Sequence, residues 1–248
     1  MPVTRPFRRT CRQFIDGNYE DRNRWQVNYV KHLQYAKSPQ QYIRAFMLLQ
    51  KDLHELFDYV EPSDRNLQCY SYRIHELLNR TCMEIEANCK AILTENCYTK
   101  TNDLTMSDYR KLNTTHRLSS YKVKLPLWDG AQDIRLPFSS WSGSGQLPWY
   151  RAYNEVKHDR HGNFGQASFD NLLNAICGLV VMLASQFHTH DFSALSYLTK
   201  QDHRMDWTSA IGGYFLIKFP DDWPNADRYE FEWNGMEMDA APFQNLVF

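Results

Sequence analysis

Arg151, Glu155 and His158 stand four and three residues apart in the stretch Trp149-Tyr-Arg-Ala-Tyr-Asn-Glu-Val-Lys-His-Asp-Arg160. Pro148 is pre-set for a helix N-terminus and predicts about three helical turns here. Seven steps of about 100° overshoot two turns by only about 20°, so Arg151 and His158 fall on one face with Glu155 between them. An imidazole whose ordinary pKa lies near 6.5 gives and takes protons at neutral pH. A guanidinium is a permanent cation whose fork matches a phosphate. Such a pair can take a proton from a ribose 2′-hydroxyl and stabilise charge building on the adjacent phosphodiester, with no metal ion. Lys157 and Arg160 add attraction for an RNA backbone, and Asn154 is the nearest amide.

Other groupings point to chemistry less strongly. His188-Thr-His190-Asp191 has two imidazoles spaced by one residue but no partner motif, and His158-Asp-Arg-His161 runs into Gly162, which breaks the helix. Neither predicts a metal site, and no cofactor is expected. Ser142-Gly-Ser-Gly145 lacks the Lys-Ser/Thr of a phosphate loop. Cys11, Cys69, Cys82, Cys89, Cys97 and Cys177 form no Cys-x-x-Cys pair and are read as reduced thiols, with Cys82 and Cys89 on one apolar helix face. Glu84 and Glu86 are placed to reach the Arg151 face. Arg5, Arg8, Arg9 and Arg12 with no acid among them make residues 1–37 a basic segment, either a solvated terminus or an arm that touches phosphates.

Three apolar stripes must position these groups. Tyr42, Phe46, Leu49, Leu53, Leu56 and Val60 recur at helical steps after Ser38-Pro39 and stop before Pro62. Ile74, Leu77, Leu78, Cys82, Ile85, Cys89 and Ile92 make a second, longer stripe, and the two predict an antiparallel hairpin. Phe169 to Phe187 is apolar on nearly all sides and predicts the central core helix. Helices are therefore expected over 42–60, 67–96, 149–160 and 167–187. Tyr121–Leu125 alternates like a short strand, and 127–148 reads as a long loop. Tyr214–Phe219 and Tyr229–Trp233 read as strands of a small β appendage. From Pro220 onward seven acids face one Arg228, which opposes a nucleic-acid role for that part. The expected organisation is a basic segment over 1–37, a helical domain over 38–190 and an acidic, β-containing appendage over 191–248.

Composition bounds the rest. With 248 residues, 43 % hydrophobic and 15 % aromatic, the chain can build a real core, and disorder and disulfide mini-scaffolds are excluded. Lys plus Arg number 28 against 29 acids, so no global basic field marks a nucleic-acid binder and any such binding uses a local patch. The longest apolar run, Ala175 to Ala184, is about half of what a bilayer span requires, and mean hydropathy is −0.62. No membrane segment and no secretory signal is expected, and the expected location is the cytoplasm.

Two long helices, a long connection, and a short Arg-x(6)-His helix running into an apolar helix resemble the HEPN superfamily (higher eukaryotes and prokaryotes nucleotide-binding). The string from Trp149 to Arg160 is similar to the Trp-x-x-x-Tyr-Asn-x-Val-Lys-His-x-Arg signature of bacterial HEPN-like proteins. The resemblance implies a mainly α fold, an antiparallel helical bundle over about 38–190, and homodimerisation that brings two Arg-His motifs together. In catalytic members it implies metal-independent RNA cleavage in toxin or anti-phage systems, with Arg151 and His158 as the catalytic pair and Asn154, Glu155, Lys157 and Arg160 in support. The family usually sets Asn, Asp or His directly after the Arg, where this chain has Ala152. Two readings stay open: an endoribonuclease, or a non-catalytic module that binds a nucleotide, RNA or a protein partner.

Overall fold

The computed structural model describes residues 2–20, 27–100, 102–192 and 207–248. Helix α1 (Pro39–Phe57) begins on Pro39 after Ser38, which sits at φ 47 and makes no side-chain cap. Helix α2 (Tyr72–Glu95) is capped by Ser71, whose hydroxyl accepts the Ile74 N–H at 3.2 Å. Two short helices, α3 (Met106–Arg110) and α4 (Leu112–His116), lead into strand β1 (Lys122–Lys124) and strand β2 (Ile134–Arg135). Helix α5 (Pro148–His158) is followed by the single turn α6 (Arg160–Asn163) and by α7 (Phe169–Phe187), whose Ser168 cap accepts from the Asn171 N–H. Strands β3 (Thr208–Ser209) and β4 (Leu216–Lys218) and the turn α8 (Trp233–Met236) complete the chain.

The expected hairpin is present. Arg80 pairs with Asp52 and Arg73 lies 3.7 Å from Glu55, so α1 and α2 run in opposite directions. Helix α5 is also antiparallel to α2, because Tyr150 meets Glu86 at one end while Arg160 meets Tyr72 at the other. The most buried pair differs. The N–H groups of Phe169 and Asp170 donate to the carbonyls of Cys69 and Leu67 at one end, and Gln186 donates to Asn88 toward the other. Thus α2 and α7 run parallel, and α1 and α5 flank them. Helix α7 is long and apolar enough to cross a membrane, but it is the buried centre of this bundle.

The small sheet has the order β2-β1-β4-β3, antiparallel throughout, with Val123 opposite both Arg135 and Ile217. The expected strand at 214–219 contracts to β4. The one expected at Tyr229–Trp233 does not form: Tyr229 makes isolated bridges to Val3 and Phe14, and Trp233 opens α8. Tyr229 is fully buried there, its hydroxyl donating to the Thr10 carbonyl and its ring edge-on to Tyr29, so its apolar alternation serves packing rather than a ladder. The stretch read as a loop over 127–148 carries β2 and buries Phe138, Trp141 and Leu147.

One contiguous core includes Cys11 and Phe14, all four long helices, and Tyr229, Trp233, Phe243 and Leu246. The packing therefore runs across the boundaries drawn at 37/38 and 190/191. Arg5 lies 3.2 Å from Asp239, Arg8 donates to Asn245, and Arg12 donates to the Asp227 carbonyl. The basic N-terminal segment thus meets the acidic tail, which offsets its charge, and Arg9 and Arg12 are buried instead of forming a phosphate-touching arm.

Candidate functional site: the outer face of α5

Trp149, Ala152, Tyr153 and Val156 anchor α5 to the bundle, with the Trp149 indole N–H donating to the Pro137 carbonyl at 2.8 Å. At about 100° per residue these positions centre on one side of the helix. Arg151, Asn154, Glu155 and His158 then occupy the opposite side, facing solvent. Arg151 is 65 % exposed along its side chain and its Nε lies 3.5 Å from Glu155 Oε1. A surface i,i+4 pair of this kind is worth only a few tenths of a kcal/mol, so Glu155 holds Arg151 weakly. His158 is exposed and closes the helix. Asn154 and His158 make no hydrogen bond with each other. Arg151 and His158 are separated by about 10 Å of helical rise, at 1.5 Å per residue.

Two expected supports stand elsewhere. Lys157 turns toward the bundle, where its Nζ donates to the Tyr153 hydroxyl at 3.1 Å, a bond that raises the lysine above its usual pKa. Arg160 lies beyond the break at Asp159, whose carboxylate accepts the Gly162 N–H, and its guanidinium covers the Tyr72 ring at 5.7 Å. Glu86 accepts from the Tyr150 hydroxyl at 2.8 Å and so holds α5 without touching Arg151. Glu84 is half-buried, and that burial raises its carboxyl. The position after Arg151 points inward: Ala152 is 3 % exposed, and an Asn, Asp or His there would be set in the core.

His188 packs against Phe219 at 4.6 Å and stacks on Tyr19, and His190 packs on Phe192. Among the described residues no three His, Cys, Asp or Glu side chains converge as a metal set. Cys11 and Cys177 are enclosed, and burial pushes both thiols up to about 12, which removes them as nucleophiles at neutral pH.

Beside α5 lies a group of rings that spacing did not single out. Phe164 packs against Tyr72 at 4.8 Å, Tyr70 at 5.5 Å and His75 at 5.9 Å, with Arg160 over Tyr72. The sequence signal was Tyr-x-Tyr immediately before an apolar stripe, together with a Phe set between Gly162 and Gly165.

Protein-family models, curated proteins and solved structures offer no match to this chain. The likeness of Trp149 to Arg160 to a known family accordingly rests on the motif and its place in the sequence.

Proposed function

We propose that this chain is an RNA-directed protein of HEPN-like type that engages RNA backbone along the outer face of α5, as a homodimer. The supporting observation is that Arg151 and His158 share the solvent side of α5, where among the described residues Arg151 has only the weak pair with Glu155. A guanidinium left with one weak partner is available to a phosphate, and electrostatic contact with backbone is the sequence-independent part of RNA binding. Dimerisation follows from the spacing. One copy sets its Arg and His about 10 Å apart along a convex helix, so a second copy is needed to bring an imidazole and a guanidinium onto one phosphate.

Cleavage is a second reading, favoured by the imidazole of His158, which is exposed and has no hydrogen-bond partner among the described residues. In that reading His158 takes the 2′-hydroxyl proton as the 2′-oxygen bonds to phosphorus, Arg151 steadies the phosphorane charge, and the P–O5′ bond breaks with a proton passing from the imidazolium to the departing 5′-oxygen, leaving a cyclic phosphate. Incubation of purified protein with RNA in EDTA, beside His158→Ala and Arg151→Ala, separates the two. Cyclic-phosphate ends from wild type alone support the enzyme, with each substitution costing orders of magnitude. Binding by wild type without turnover supports the module. Absence of both activities overturns the RNA reading.

A further inference from the structure

The ring cluster at the start of α2 has the composition of a ligand surface and is held rigidly. Tyr70 is 57 % and Tyr72 65 % exposed, although both pack on Phe164. Their backbone is fixed: Tyr70 bridges Ser168, and the Phe169 N–H donates to the Cys69 carbonyl at 2.7 Å. Tyr72 is the first residue of α2 and Phe164 opens a 3-10 turn, so two helix ends and one turn present the rings. Exposed aliphatic side chains among the described residues, such as Leu33, Leu48, Leu127 and Val247, take no part in these ring contacts. Here the surface is aromatic, with the Arg160 guanidinium over one ring and an imidazole, His75, against another. Arg160 has no carboxylate partner among the described residues, and burial, with the nearby Arg160 cation adding to it, lowers the His75 pKa below the ordinary imidazole value.

Flat π faces beside an unpaired cation match one ligand chemistry well: an unpaired nucleobase stacked on the ring, with its phosphate on the guanidinium. We infer that Tyr72, with Tyr70, Phe164 and Arg160, is a stacking platform for an unpaired base of single-stranded RNA. This deepens the RNA reading and rests on it. The platform follows α5 directly, since Arg160 is two residues beyond His158 and Phe164 six. A strand whose backbone crosses the Arg151–His158 face thus delivers its next unpaired base to Tyr72. The platform selects single strands over duplex, because a paired base has no free face to offer.

Fluorescence anisotropy tests this with a labelled single-stranded RNA of about twelve nucleotides, within the range of such binding sites. The companion probes are the same strand in a duplex and a strand of equal length and charge with abasic sites. Stacking is worth roughly 1–3 kcal/mol per base on alanine substitution, so Tyr72→Ala should weaken single-strand binding by about fivefold or more. Tyr72→Phe should bind as wild type does, and the abasic strand should bind wild type as weakly as the intact strand binds Tyr72→Ala. Because Tyr72 is exposed, the melting curve of Tyr72→Ala should overlay that of wild type. The platform is overturned, with the RNA reading intact, if wild type binds RNA and either Tyr72→Ala binds equally well or duplex and abasic strands bind as tightly as the intact single strand. A change of oligomeric mass in Tyr72→Ala would make the rings a contact between copies and overturn the platform too. Failure of wild type to bind any of the three probes removes both inferences.

Discussion

Arg9 is fully enclosed, its guanidinium between the rings of Tyr42 and Phe187, its Nε 2.8 Å from Glu95, and its terminal nitrogens on Gln186 and the Lys37 carbonyl. Arg151 stands on the outer side of α5 with one weak carboxylate partner. Around Arg9 the network continues: Gln186 donates to Asn88, Tyr35 donates to the Gln186 carbonyl, and the enclosed His116 donates from Nε2 to the Arg9 carbonyl at 3.0 Å. Around Arg151 it ends at Glu155. The first arginine is committed to the fold, because a buried cation requires every partner it has. The second is free for a ligand, because removing it leaves nothing buried and unpaired.

Replacing Arg9 by Met leaves the Glu95 carboxylate, 10 % exposed, with the Lys37 N–H but without its cation, and should cost about 3–5 kcal/mol in urea unfolding, the usual loss when one member of a buried pair is removed. Equal stability of Arg9→Met and wild type would dissolve the distinction.

Acid should attack the same network next. Burial lowers His116 from an ordinary 6.5 to about 4, so the folded state keeps it neutral while the unfolded chain takes up a proton first. Its contribution is complete above about pH 6.5, falls as pH drops, and is gone below about pH 4, a loss on the order of 3 kcal/mol. Urea midpoints between pH 7 and pH 4.5 should show this decline, and His116→Gln should flatten it. A wild-type profile parallel to that of His116→Gln would place the acid sensitivity elsewhere.

A smaller loss is expected where the two regions meet the bundle. Tyr150→Phe removes one hydrogen bond to Glu86 and should cost about 1 kcal/mol, with α5 still helical by circular dichroism. Arg151→Ala should lie within about 0.5 kcal/mol of wild type, as substitutions at exposed sites do. A loss above 2 kcal/mol there would mean that the face serves the fold.

The four long helices were legible because each repeats its apolar residues at helical steps, and Ser38-Pro39 and Pro148 marked two of their starts; the other two, read from 67 and 167, begin at Tyr72 and Phe169 behind the caps Ser71 and Ser168. The parallel course of α2 and α7 was not, since periodicity marks a buried face without its direction. The sheet was hidden by strands of two and three residues joined across nearly a hundred positions, too short to alternate visibly. Arg9 and Arg12 read as a basic arm because their partners Glu95, Gln186 and Asp227 are distant in sequence, and the composition of a twelve-residue window cannot reveal them. The site was legible where one helix made it. Arg151, Asn154, Glu155 and His158 share a face, as seven-residue spacing requires. Lys157 and Arg160 left that face, Lys157 through a hydrogen bond to Tyr153 and Arg160 through the break at Asp159. The ring cluster draws on two distant segments and lay beyond any local pattern.

The claim that α5 carries a ligand face independent of the fold is tested most directly by the double variant Arg151→Ala/His158→Ala, measured for urea stability and for anisotropy-detected binding of single-stranded RNA on the same preparation. The expected result is stability within about 0.5 kcal/mol of wild type and RNA binding at least tenfold weaker, from the loss of one phosphate contact and its neighbour. Undiminished binding, or a loss of stability that accounts for the loss of binding, would contradict it.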